Sequence, residues 1–260
     1  KPVPTHETEF ARGSVFGYTT AYLPDYVAEK TTGRVAAEAV ARLTLADLRA
    51  GAAGEWLAAL HGNTVGVVDG ESAEDYRLFA DAVLTAAADG KRLLFRSAAS
   101  LLTALAKLPP QPVAAESFAT LVRDGQPGAI IVGSHVAKTT AQLTVLLKQR
   151  GVVGLPLDVA RLPAARAAVV DELTASIAHA HARGLTPVVF TSRAELTFAS
   201  VAERLTFGEA VSGTLMDVVK RLPETLGFLI SKGGITSNDV LSTGLALAAS
   251  RVLGQILPGV

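Results

Sequence analysis

The stretch FLISKGGITSNDVL, residues 228–241, places Gly233 and Gly234 between an apolar run and a cluster of Thr, Ser, Asn and Asp. Paired glycines remove side chains where a chain turns, so backbone amides can approach a ligand closely. Thr236 and Ser237 add hydroxyl donors, and Ser237 or Asn238 is placed to cap a following helix. Strand, glycine turn and helix N-terminus, in that order, can hold an anion. The first amides of a helix have no internal acceptor and lie at the positive end of its dipole. The same residues also make a plain strand-to-helix connection, and spacing alone leaves both readings open. The stretch is neither a P-loop nor a dinucleotide fingerprint.

Two further junctions carry similar chemistry. In AIIVGSHVAKTTAQLTVLL, residues 129–147, Gly133 and Ser134 follow a strand, Lys138 adds charge, and Thr139 or Thr140 can cap the next helix. Ser134 could donate its hydroxyl to a phosphate; a capped loop is the competing reading, and His135 reads as a loop residue. In TPVVFTSRAEL, residues 186–196, Thr191, Ser192 and Arg193 suit an anion. There Ser192 with Glu195 as a capping box is the favoured reading. Asp69, Glu71, Glu74 and Asp75 could bind Mg²⁺ or act as a base, but read more simply as the acidic first turn of a helix. No Ser-His-Asp arrangement or nucleophile elbow is recognisable.

Composition narrows the chemistry. The 260 residues are 49% hydrophobic and 18% charged, enough for a sizeable core. Formal net charge is zero, so nucleic acid is a poor partner. The absence of cysteine excludes disulfides and thiolate chemistry and fits a cytoplasmic location. The five histidines are scattered, so no metal-ligating residue is assigned. No apolar run reaches the ~20 residues a bilayer requires, so no membrane partner is expected.

Short apolar runs alternate with Ala/Leu-rich helical patterns, which predicts an α/β fold with a largely parallel sheet. Strands are expected at Val65–Val68, Leu93–Phe95, Ile130–Val132, Val152–Leu157, Pro187–Thr191 and Phe228–Ser231. Helices are expected at Ala73–Ala88, Ser97–Lys107, Thr140–Gln149, Ala164–Arg183, Glu209–Arg221 and Asn238–Leu253. The last helix should bury Val240, Leu241, Gly244, Leu245, Ala248 and Val252, with Gly244 close against the sheet. TTGRVAAEAVARLTLADLRAG, in the first sixty residues, suggests a helix with weak strand content around it. The proline-rich 107–128 stretch marks a domain boundary. Two strands ahead of that boundary look too thin for a complete domain, so more chain is expected on the N-terminal side. An uncovered half-sheet should also pair, and a homo-oligomer is an expectation.

Taken together, TEFARGSVFGY, VAEKTTGRV, VVDGESAEDYRLFADAVL, IIVGSHVAKTTAQL, VVFTSR and SKGGITSNDVL resemble the four-carbon acid sugar kinases, the threonate/erythronate-type ATP-dependent kinases. The resemblance extends over nearly the whole chain. It implies two three-layer α/β domains around a cleft, the first of them incomplete here. Residues 1–107 would be the latter part of the sugar-acid-binding domain, 108–127 a linker, and 128–260 the nucleotide-binding domain. It further implies phosphorylation of the terminal hydroxyl of a four-carbon acid such as threonate, erythronate or a 3-oxo-tetronate, with ATP and Mg²⁺. By motif, Ser134 would contact ATP, and Gly233, Gly234, Ile235 and Thr236 would line its phosphates. Many relatives carry an acidic residue where Ile235 stands, so this turn would act through backbone and hydroxyls. The catalytic base would lie in the absent N-terminal segment, and none is assigned. The chain alone is expected to bind nucleotide and transfer little. A non-catalytic nucleotide- or sugar-phosphate-binding module is the alternative.

Overall fold

The computed structural model describes residues 3–12, 17–109, 112–193 and 196–256. The chain divides into two compact units, Lys1–Pro110 and Gln111–Val260. Both are built from helices and parallel strands, so the protein is α/β.

In the first unit, α1 (Leu23–Lys30) precedes β1 (Ala41–Leu43), α2 (Leu45–Arg49) and α3 (Ala53–Ala59). After them come β2 (Gly66–Val68), α4 (Ala73–Ala88) and α5 (Ala99–Leu105). β1 and β2 pair in parallel, with Ala41 opposite Gly66 and Leu43 opposite Val68. Leu43, Leu48, Leu57, Phe79, Val83 and Leu101 form the core. Gly66 is small because Trp56 packs there: a Cβ would meet the indole at 2.6 Å. The helix expected at Ala73–Ala88 is α4, held by a Ser72–Asp75 capping box and by Phe79, Ala80 and Val83 on one buried face.

The strand expected at Leu93–Phe95 does not form; these residues have no regular structure, and Leu94 is 100% exposed. An apolar triplet becomes a strand only beside a partner that satisfies its backbone. No described strand runs alongside it. In its place β1 forms within a stretch whose alanines suggest helix. Its core side chain is Leu43, while Arg42 faces out to an ion pair with Asp69 at 2.8 Å.

In the second unit α6 (Phe118–Leu121) leads into four strands, each followed by a helix: β3 (Ala129–Val132) and α7 (Ala137–Leu146), then β4 (Val152–Leu157) and α8 (Leu162–Ala182). β5 (Thr186–Thr191) and α9 (Val201–Val219), then β6 (Leu229–Lys232) and α10 (Gly234–Asp239), complete the series. The strands are parallel in the order β4-β5-β3-β6. Ile131, Leu157, Val170, Val189, Leu215 and Val218 pack with α8 and α9, while Ile130, Val132, Leu143 and Val188 pack with α7. Helices thus cover both faces, and apolar residues run continuously through β3, as a strand buried on both sides requires. No helix of the described residues is long and apolar enough to cross a membrane.

The helix expected at Asn238–Leu253 is not built. α10 starts earlier, at Gly234, passes into a π turn at Val240–Gly244, and regular helix stops there. The wide π turn shifts the side-chain register that the apolar stripe relied on. Ala246 then takes a left-handed φ of 52°. Of the expected stripe Val240 and Gly244 are buried, whereas Leu241, Leu245, Ala248 and Val252 are exposed, Val252 at 82%. Gly244 packs against α9 and not the sheet: a Cβ would lie 2.7 Å from Val219 Cγ1 and 3.2 Å from Met216 Sδ.

Candidate functional site

β3, β5 and β6 are neighbours whose carboxyl ends are in register, with Val132 opposite both Phe190 and Lys232. Loops leaving these ends converge there, as ligand sites of parallel sheets do. Gly133 follows β3, and its amide donates to the Lys232 carbonyl at 3.2 Å. Gly233 follows β6 as the N-cap of α10, with φ 117° and ψ 136°, a backbone region that L side chains rarely adopt.

The two turns are in direct contact. A Cβ on Gly133 would fall 2.0 Å from Thr236 Oγ1, and one on Gly233 would fall 3.2 Å from Ser134 Cβ. Thr236 is buried at 8% exposure, while Ile235, its neighbour, is 74% exposed. The structure therefore brings Ser134, Gly233 and Thr236 together, with Gly234 and Ile235 on the same turn. Gly234 faces open space, with nothing within 4 Å of its Cβ direction.

Local hydrogen bonding differs from the sequence expectations in three places. Ser237 and Asn238 do not cap α10, which begins at Gly234. The Ser237 hydroxyl turns back to the Ser231 carbonyl (3.3 Å), and its amide makes the bond to Gly233 O (2.8 Å). Thr139 and Thr140 do not cap α7; Val136 holds that position. Thr139 is instead buried and its Oγ1 donates to Ser134 Oγ at 3.3 Å, a role the sequence concealed behind a capping pattern. Ser192 caps no described α-helix, and its Oγ accepts from the Val159 amide at 3.4 Å. It donates to Leu157 O at 3.3 Å, and α9 begins only at Val201, capped by Ser200. Glu195, the other half of the expected capping box, lies outside the described residues. His135 and Lys138 are exposed.

By helix geometry the amides of Gly234, Ile235 and Thr236, and those of Ala137, Lys138 and Thr139, have no intrahelical acceptor. The turns contain donors and no carboxylate, the donor set of an anion site. The four acidic candidates of the first unit are each ion-paired: Asp69 to Arg42, Glu71 and Asp75 to Arg49, and Glu74 to Arg77. Among the described residues no group of His, Cys, Asp or Glu could hold a metal ion.

Because the turn presents backbone, the exposed side chain of Ile235 has little to do. Ile235→Ala should change stability by less than about 0.5 kcal/mol and leave the affinity for a phosphate-bearing ligand within about twofold, read by thermal melting and calorimetric titration.

The profile of a nucleotide-binding C-terminal domain matches residues 129–260, and that of a sugar-binding N-terminal domain matches residues 1–105. The chain belongs to the four-carbon acid sugar kinase family. Among solved structures, it is similar to a crystal structure from Salmonella typhimurium LT2 provisionally described as a tRNA synthase. The identity is 20% and the TM-score 0.55, over 92% of this chain and 55% of that one. That likeness supports the fold, and this chain spans little more than half the length of the matched protein. No curated protein matches the chain. Within a kinase-type family of paired sugar- and nucleotide-binding domains, the glycine turns lie in the part that matches the nucleotide-binding profile.

Proposed function

We propose that the protein is an ATP-dependent kinase, or the larger part of one, that phosphorylates the terminal hydroxyl of a four-carbon acid sugar such as threonate, erythronate or a 3-oxo-tetronate. The observation that carries the reading is the contact between Gly133 and Thr236, which joins two strand-end turns into one backbone-lined cradle. Phosphoryl transfer calls for positioning and charge neutralisation more than covalent help. The Gly233, Gly234, Ile235 and Thr236 amides and the Ser134 hydroxyl, oriented by Thr139, would hold the nucleotide's phosphates. Mg²⁺ bound to the nucleotide would spread the charge of the β- and γ-phosphates. The new P–O bond forms at the acid's hydroxyl as the bond to ADP breaks, and the hydroxyl proton passes to a base that we do not assign.

Isothermal titration should give saturable ATP binding to the 260-residue chain. A protein with both domains complete should turn over ATP only with a member of the threonate, erythronate and 3-oxo-tetronate panel. ATP binding without turnover on any of these acids would favour a non-catalytic nucleotide-binding module. Cytoplasmic location and self-association remain part of the proposal, the latter checked by light scattering.

A further inference from the structure

Arg193 follows β5 in the second unit, beside the turn that carries Gly133 and Ser134. Its guanidinium spans the ends of two strands. Nε donates to the Thr191 carbonyl at 2.9 Å, Nη2 to Thr191 Oγ1 at 2.8 Å, and Nη1 to the Ser134 carbonyl at 2.7 Å. Thr191 Oγ1 in turn donates to the Gly133 carbonyl at 3.2 Å. Both residues of the β3 turn are therefore held by one side chain, Ser134 directly and Gly133 through a hydroxyl relay. The Phe190 ring lies 5.8 Å from the guanidinium carbon and limits where the side chain can go.

Its charge is equally distinctive. Arg42, Arg49, Arg77, Arg161, Arg166 and Arg221 all make ion pairs with carboxylates. Arg193 is half-buried, and among the described residues its partners are neutral oxygens. Burial accordingly pulls its pKa below the usual arginine value, and no acid among the described residues opposes the change. A partly desolvated cation without a counter-ion is unfavourable until an anion comes near. The three bonds above occupy one hydrogen at each nitrogen, so Nη1 and Nη2 each keep a further N–H.

Resting on the nucleotide reading above, we propose that Arg193 is a positioning residue of the phosphate cradle: it fixes the Gly133–Ser134 turn, and its unneutralised charge biases the site toward the nucleotide with the longer phosphate chain. Loss of the planar fork loosens Ser134 Oγ relative to the Gly233–Thr236 turn. Loss of the charge removes the preference that grows from AMP to ADP to ATP.

The test is calorimetric titration of ATP, ADP and AMP into the full chain as wild type, Arg193→Lys and Arg193→Gln, with far-UV circular dichroism to establish folding. Arg193→Gln should lower ATP affinity roughly 10- to 100-fold, and AMP affinity by less than about threefold. Arg193→Lys, which keeps the charge but not the fork, should fall between wild type and Gln for ATP while retaining the ATP-over-AMP order. Parallel losses for ATP and AMP would mean a merely structural arginine and overturn the proposal, as would unchanged ATP affinity in Arg193→Lys. The lysine variant alone decides the matter if the glutamine variant fails to fold. Failure of the wild type to bind any of the three nucleotides would instead sink the nucleotide reading, and this inference with it.

Discussion

Gly133→Ala is expected to lower nucleotide affinity by about 100-fold while the sheet of the second unit stays folded. The added methyl would stand 2.0 Å from Thr236 Oγ1, and rotating that hydroxyl away does not free the space. Thr236 Cβ and Cγ2 already lie 3.2 and 3.3 Å from the same point, so a heavy atom crowds the methyl whichever way the threonine turns. Relief requires the β3 and β6 turns to separate, and a displacement near 1 Å is enough to cost about two orders of magnitude where a ligand is held by positioned donors. The accompanying loss of stability should be about 1–3 kcal/mol, the range for an overpacked site. Thr236→Ala in the same chain removes Oγ1 and Cγ2 and leaves only Cβ at 3.2 Å, so the double variant should recover part of the affinity, a coupling that a double-mutant cycle reads directly. Full affinity in Gly133→Ala would show that the two turns do not form one site.

The central strands β3 and β5 were readable because their apolar runs are continuous, as burial on both faces requires, whereas the edge strand β4 lies at the expected Val152–Leu157 with only Leu157 buried. The chemistry of the turns was readable for a different reason. Glycine at positions 133 and 233 reports a backbone requirement, and the structure supplies it as a close approach and a positive φ. What the sequence could not display was the partner of each polar group. Thr139, Ser192 and Ser237 all match capping patterns, yet each hydroxyl is used across the fold, toward Ser134, Leu157 and Ser231. Those partners are distant in sequence or belong to another element, so local spacing carries no record of them. The failures at Leu93–Phe95 and after Gly244 share a cause. Apolar pattern and helix propensity specify an element only when a neighbour exists to bury it.

Asp75→Asn should be the most damaging conservative change in the first unit, and its effect should depend on pH. Asp75 is 2% exposed, and its carboxylate is saturated with donors. Oδ1 accepts from Arg49 Nε at 2.8 Å. Oδ2 accepts from Arg49 Nη2 at 3.0 Å, the Ser72 amide at 2.8 Å, Ser72 Oγ at 2.9 Å and the Glu71 amide at 3.1 Å. One side chain thereby closes the N-terminus of α4 and ties it to α2. Arg49 holds the Asp75 carboxyl well below the usual carboxylate range; burial opposes this, and the Ser72 and Glu71 amides assist. Because the folded pKa is depressed, the stabilisation is complete above the unfolded value near 4 and is lost as pH falls toward the folded one. Asparagine offers an amide where Arg49 needs an anion, so the thermal midpoint of the first unit should drop by on the order of 5–10 °C at neutral pH. Trp56 is the chain's single tryptophan and packs against this core, so its emission follows the unfolding of this unit. The gap between wild type and variant should hold steady from pH 7 to about pH 5 and shrink below about pH 4. A gap that stays constant down to pH 3 would mean that Asp75 stabilises through shape and neutral hydrogen bonds, with its charge contributing nothing.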